Sequence, residues 1–348
     1  MMRNPFSRRR VEALALGAVF AAWLAVPGTV ADAAGEALGR CGAVVVPTLF
    51  PFFVLSNLFV RRGHFRYAER LLQPLMGPLF GLRGGAAGAV VLGAVGGYPV
   101  GAATVFRLYD RGRLDNREAA RALAFCNNAG PGFVLGVAGL GLFGSVRAGL
   151  LLWGVHLLSA VAAGLLLPPA GRAPSMRLRP AAQDRTDGES FAVSLVESVR
   201  DAAGTIVQVC AFLVFFAVVL RFVEALPVWD RLPAWARPLA VGSVELSTGV
   251  ARLGLADVPD AARAAVCAFL LGWGGACVHC QVLSLRGQRP VSMAYHTRGK
   301  LLQGLLSAAL VGLLAAGTVL PLVTLAAALA AIAALRKRHA GNRAANGV

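Results

Sequence analysis

The sequence predicts an all-α polytopic membrane protein, with about eight transmembrane helices plus two re-entrant hairpins in an inverted repeat. Three observations carry this prediction. Runs of about 20 apolar residues recur along the chain, each long enough to cross a hydrocarbon core of about 30 Å. Of the 348 residues, 57% are hydrophobic and 15% are charged, against roughly 25% charged in soluble domains. Lastly, Gly96-Gly97-Tyr98-Pro99-Val100-Gly101 interrupts an apolar run extending from Gly84 to Phe106. Broken backbone at bilayer depth is tolerated only where protein or a water-filled cavity satisfies its N–H and C=O groups. Such breaks mark solute carriers more than anchors.

Taken in order, the spans fall at about 11–30, 40–60, 122–143, 148–167, 203–223, 264–285, 301–318 and 320–335. Arg8-Arg9-Arg10 precede the run from Val11 to Val30, which is long for the apolar core of a cleaved signal and reads as a retained first helix. Two further stretches, 71–106 and 238–256, do not read as ordinary spans. The first holds Gln73, Pro74, Pro78 and Arg83 besides the glycine-proline break; the second holds Ser243, Glu245, Ser247 and Thr248. Both read as hairpins that enter and leave on one side. Segment 169–190 is polar and aperiodic, the composition of a flexible linker. The chain thus divides into an N-terminal helix and external linker (1–39), a first repeat (40–168), a basic cytoplasmic linker (169–202), a second repeat (203–300), and a C-terminal helical hairpin with a basic tail (301–348).

The basic residues set the expected sidedness. Of 34 Lys and Arg, six (Arg40, Arg147, Arg231, Arg237, Arg252 and Arg263) fall in segments read as external. Arg83 and Arg221 lie within apolar stretches. The remaining 26, Lys300 among them, lie in the start, 61–70, 107–121, 168–201, 286–300 and the tail from Arg336. Both termini are therefore expected in the cytoplasm. Under this topology the span–hairpin–span blocks at 40–143 and 203–285 are inverted, as in many secondary transporters. A sequence echo accompanies them: Ala119-Ala120-Arg121-Ala122 precedes Gly130-Pro131-Gly132, and Ala261-Ala262-Arg263-Ala264 precedes Gly272, Gly274 and Gly275.

The candidate solute-binding residues cluster at the breaks. Gly97, Tyr98, Pro99 and Gly101 form the first. In Cys126-Asn127-Asn128-Ala129-Gly130-Pro131-Gly132, paired amides meet an unwound turn; Asn127 and Asn128 read as solute ligands, or as hydrogen-bonding links between helices. Of the 17 acidic residues, Glu245 alone lies well inside an apolar segment. A carboxylate at that depth must be paired, solvated or protonated. It reads as an ion ligand, a proton carrier or a substrate contact, or else as a structural partner of Arg252 or a hairpin tip that reaches headgroup water. Ser247 and Thr248 join it, or cap a half-helix. Gly274, Gly275 and His279 form the second half's counterpart of the asparagine break, with close helix packing as the alternative.

Other function classes find little support. The positive charge follows the loops, so no nucleic-acid partner is expected. Cys277-Val278-His279-Cys280 has zinc-like spacing but lacks a second pair to complete a tetrahedral site, so no metal or organic cofactor is expected. There is no Walker motif or nucleophile–base arrangement, so the chain is not expected to be an enzyme. The expected partners are the lipid bilayer, a small solute and a coupling ion, H+ or Na+; an oligomer is compatible with the sequence.

Pro47-Thr-Leu-Phe-Pro-Phe-Phe-Val-Leu-Ser56, Gly97-Tyr-Pro-Val-Gly101, Phe125-Cys-Asn-Asn-Ala-Gly-Pro131 and Trp273-Gly-Gly-Ala-Cys-Val-His-Cys-Gln-Val282 resemble the YlbJ family of sporulation integral membrane proteins, in the same order over about residues 40–310. The resemblance implies a nucleoside-recognition, or Gate, domain related to concentrative nucleoside transporters, with paired hairpins flanking a midplane site. It also implies a role in spore formation, in the membrane surrounding the forespore, with dipicolinate as cargo. Trp273 and Cys277 stand where Phe and Ser are usual, and Gly132 where a bulky apolar residue is; these departures bear on the cargo more than on the fold. The leading expectation is a secondary transporter of a small planar anion. The alternatives are a non-transporting scaffold for spore-envelope assembly and a nucleoside-type transporter.

Overall fold

The computed structural model describes residues 5–64, 70–72, 74–82, 85–168, 190–315 and 317–318. Gln73, Arg83, the linker at 169–189, the expected span at 320–335 and the basic tail lie outside the described residues. Among those described there are helices and turns but no strand. Five helical stretches are long and apolar enough to cross a membrane: 27–59, 146–166, 191–224, 260–286 and 294–315.

Helix α1 spans Pro5–Ala25. Pro27 then opens α2, Pro27–Arg40, at a position where its missing N–H leaves nothing unpaired. One π turn (Cys41–Val45) joins α2 to α3, Val46–Arg61. A second π turn, Met76–Phe80, leads to the first hairpin, α4 (Ala86–Gly96) and α5 (Val100–Asp110). Its tip is Gly97-Tyr98-Pro99, with Gly97 at φ 79° and a cis Tyr98–Pro99 bond. Helix α6, Asn116–Ala122, starts on a capping box: Asp115 accepts from the Arg117 and Glu118 amides, and Glu118 accepts from Asp115 N. After an irregular stretch the chain resumes as a π-helical segment, Gly132–Leu142, and then as α7, Val146–Leu166, capped by Ser145.

The second half repeats this order. Its long helix is α8, Phe191–Glu224, capped by Ser190. The second hairpin comprises α9 (Ala236–Val244) and α10 (Leu246–Leu255), broken at Glu245. Next comes a helix interrupted at Gly274, as α11 (Asp260–Trp273) and α12 (Gly275–Arg286), and finally α13, Ala294–Ala315.

The 34 residues of α8 extend about 51 Å at 1.5 Å per residue and serve as a ruler. The α2–α3 stretch runs antiparallel beside it. Glu36 pairs with Arg221 near one end and Arg61 with Asp201 near the other, both at 2.8 Å. The base of the first hairpin sits at the N-terminal end of α8, where Arg107 lies 3.8 Å from Asp201 and donates to Asn57 at 2.8 Å. The base of the second sits at the C-terminal end, where Arg252 pairs with Glu224 at 3.1 Å. From residue 201 to 224 the helix rises about 35 Å, close to a hydrocarbon thickness. The hairpins therefore enter from opposite ends and meet between them. Apolar side chains such as Leu14 (74% exposed) and Val207 (67%) cover the outer faces, where a membrane supplies apolar solvent.

Two expected spans are corrected. The stretch 122–143 is not one helix, because residues 123–130 are irregular and all buried. Asn-Asn-Ala-Gly-Pro cannot hold a regular ladder there, and the unwinding reaches back to Leu123. The last described span begins at Ala294 rather than at 301, which carries Lys300 out of the loop and into the interior. It is not one of the solvated basic residues of segment 286–300.

Candidate functional site

The tips of both hairpins and both helix breaks converge at the middle of α8. They enclose a small pocket lined by Tyr98, Ala129 and Gly130 from the first half and by Glu245, Leu246, Ser247, Cys277 and Gln281 from the second, with Val209 and Leu213 of α8 along its side. The cavity volume is about 70 Å³. That exceeds what one water needs.

Glycine permits this convergence. Gly97 lies against Gly130, and a Cβ on either would meet the other's backbone. Gly93 and Gly101 embrace the Cys126 carbonyl so closely that neither has room for a Cβ. Gly274 and Gly275 take φ values of 83° and 81°, a region that disfavours other residues. Gly274 rests against the Tyr98 ring, and Gly275 against the carbonyls of Gly242 and Val244. Of the predicted site glycines, only Gly130 lines the pocket; Gly97, Gly101, Gly274 and Gly275 act by close packing.

Tyr98 presents its ring to the pocket and its hydroxyl donates across the halves to the Leu271 carbonyl at 2.8 Å. Pro99 stands behind it at the start of α5. Glu245 is 4% exposed and caps α10. It accepts from the amides of Ser247 (2.9 Å) and Thr248 (2.7 Å) and from their hydroxyls (2.8 and 2.7 Å). Ser247 and Thr248 are thus donors to the cap rather than caps themselves. Arg252 is not the partner of Glu245, because it faces the other end of α10 and pairs with Glu224. Four donors thus meet the side chain at the helix N-terminus, and no basic side chain is among them.

Side chains from distant helices meet the irregular stretch, where buried backbone needs partners. His296 Nδ1 meets the Leu123 carbonyl at 3.1 Å, and Asn128 Nδ2 donates to Phe125 O at 2.9 Å. Ala129 N donates to His156 Nε2 at 3.0 Å, and Lys300 donates to Asn127 O at 2.5 Å. Gln303 Nε2 donates to Asn128 Oδ1 and to the His156 carbonyl, both at 3.0 Å. The Asn127 side chain is fully buried, and neither its Oδ1 nor its Nδ2 has a partner. The two asparagines therefore differ: Asn128 links helices and Asn127 holds an unused amide. His279 lies away from the pocket, sandwiched between Trp273 and His296 at ring-centroid distances of 4.3 and 4.8 Å.

Lys300, His156 and Gln303 were not read as site residues from the sequence. Charge patterning places Lys300 with the loop that precedes it. A lone His156 in an apolar run, and Lys300 three residues before Gln303, were the available signals. The echoed arginines differ in setting. Arg121 donates to the carbonyls of Phe80, Gly164, Leu167 and Pro168, and Arg263 donates to Ala256 O. Arg121 ties the end of α6 to those carbonyls, whereas Arg263, in the first turn of α11, also pairs with Asp260.

Helical hairpins entering from opposite ends of a membrane-length bundle, with broken helices between them, define an all-α polytopic membrane protein of inverted-repeat design. Residues 43–146, from the π turn before α3 through the first hairpin and the π-helical segment, match the Gate family, described as nucleoside recognition. The resemblance read from the motifs also holds along most of the chain. It is 27% identical over 313 residues to the sporulation integral membrane protein YlbJ of Bacillus subtilis (strain 168), covering 81% of this chain and 77% of that protein. No solved structure matches the chain.

Proposed function

We propose that the protein is a secondary transporter of spore formation, carrying a small planar anion such as dipicolinate, and not an enzyme. The observation that carries this reading is the meeting of two oppositely directed hairpin tips and two helix breaks at one pocket, halfway along α8. Carriers of this design place substrate at the midplane and rock one repeat against the other. The pocket is well below the roughly 300–1,000 Å³ of sites that hold a drug-sized ligand, so loading requires a hairpin to move. Glu245 already occupies the N-terminus of α10. The solute carboxylate would then meet Gln281 and the start of α12 rather than α10. The cytoplasmic side would be the end of the bundle that carries Arg61, Arg107 and Arg289, and the membrane that around the forespore.

The small, largely apolar pocket also supports a second reading, a scaffold that docks partners during envelope assembly. Uptake by purified protein in lipid vesicles separates the two. The proposal expects saturable uptake of dipicolinate; preference for nucleosides would move the assignment to a nucleoside-type carrier. Uptake of neither would favour the scaffold.

A further inference from the structure

Helix α13 carries a lysine into the centre of the bundle. Lys300, Asn127, Gln303 and His156 are essentially inaccessible. The ammonium donates to the main-chain oxygen of Asn127 at 2.5 Å and to Gln303 Oε1, with Asn128 Oδ1 at 3.5 Å. The ring of Tyr98 closes a further side, its centroid 5.3 Å away, a distance at which a ring face attracts a cation. Among the described residues, these partners include no carboxylate.

A buried ammonium ordinarily takes an acidic partner, because an unpaired charge in low dielectric is costly. Here neutral oxygens replace the acid, and two of the three come from the unwound stretch. Carbonyls of an unwound segment, completed by amide oxygens, are how broken-helix carriers hold a sodium ion, and hard cations favour such oxygen donors. The oxygens and the ring face enclose the ammonium, leaving no open side for an anionic solute.

We propose that Lys300 is a tethered cation, filling an oxygen cage at the unwound segment that an alkali ion would otherwise occupy. The cage holds residues 123–130 against α13 with no dissociable ion. It follows that sodium is not the coupling ion at this position, a consequence that rests on the transport reading, whereas the cage itself does not.

Thermal unfolding of the full chain in detergent tests the cage directly, in sodium, methylammonium or N-methylglucamine chloride at equal ionic strength. Wild type should unfold at the same temperature in all three and show no saturable binding of radioactive sodium. Lys300→Ala leaves room for a free cation. It should unfold at a lower temperature, recovering several degrees in sodium or methylammonium, as a ligand specific to the folded state requires. Lys300→Met fills the space and should recover in neither. Saturable sodium binding by wild type, or a Lys300→Ala protein indifferent to every cation, would overturn the proposal. Should Lys300→Ala not fold in any salt, sodium binding by wild type decides. Dipicolinate uptake into vesicles should be unaffected by removing a sodium gradient; a sodium requirement counts against the tethered cation. Absence of uptake counts instead against the transport reading, leaving the cage to the binding measurements.

Discussion

Removing the Glu245 carboxylate should separate its part in the fold from its part in transport. The side chain accepts from two amides and two hydroxyls in the first turn of α10. In Glu245→Ala the hydroxyls can turn to nearby carbonyls, but the Ser247 and Thr248 amides lose their acceptor. Each buried donor left unsatisfied costs about 1–3 kcal/mol, so the substitution should cost about 2–6 kcal/mol. At about 1.4 °C per kcal/mol for a chain of 348 residues, the unfolding temperature should fall by about 3–8 °C. Glu245→Gln retains one carbonyl oxygen but sets its NH₂ against an amide donor, so it should lose about half as much. Glu245→Asp restores a favoured cap and withdraws the carboxylate from the pocket, so its stability should approach that of wild type. Thermal unfolding in detergent gives the order; an alanine variant as stable as wild type would refute the capping account. In vesicles, Glu245→Gln should abolish coupled accumulation while leaving solute exchange partly intact. Wild-type accumulation at every pH and sodium level would show the carboxylate to be purely structural.

Gly93→Ala and Gly101→Ala each drive a Cβ into the Cys126 carbonyl and should cost about 3 kcal/mol or more, read as loss of monodisperse protein. Gly136→Ala, in open space, should be neutral, and equal behaviour of the three would refute the close-approach argument. Asn128→Ala removes bonds to Phe125 and Gln303 and should lower stability by about 2 kcal/mol. Asn127→Ala discards an unpartnered amide and should leave stability unchanged; a solute role would appear as lost uptake at normal abundance. Single cysteines near Arg113 should be labelled only from the cytoplasm and those near Asp230 and Asp257 only from outside. Labelling of Arg113 and Asp257 positions from one side would contradict hairpin bases at opposite ends of α8.

The sequence by itself determined the membrane class and the positions of the breaks. Apolar length and glycine-proline interruptions are local properties, legible without tertiary structure. The break at Gly97-Tyr98-Pro99 and the isolated Glu245 were visible for that reason, though the hairpin expected at 71–106 spans Ala86–Asp110: a broken apolar run and a lone carboxylate are anomalous wherever the chain folds. What surrounds each break was decided only by the tertiary structure, because the partners come from distant segments. Asn127 meets Lys300, Asn128 meets Gln303, and Ala129 meets His156, pairings that no local pattern announces. Lys300 illustrates the limit most clearly. In sequence it borders a basic loop and an apolar run, and charge patterning assigns it to solvent. The early start of α13 and the unwinding of residues 123–130 place neutral oxygens around it, and those oxygens make a buried ammonium tolerable.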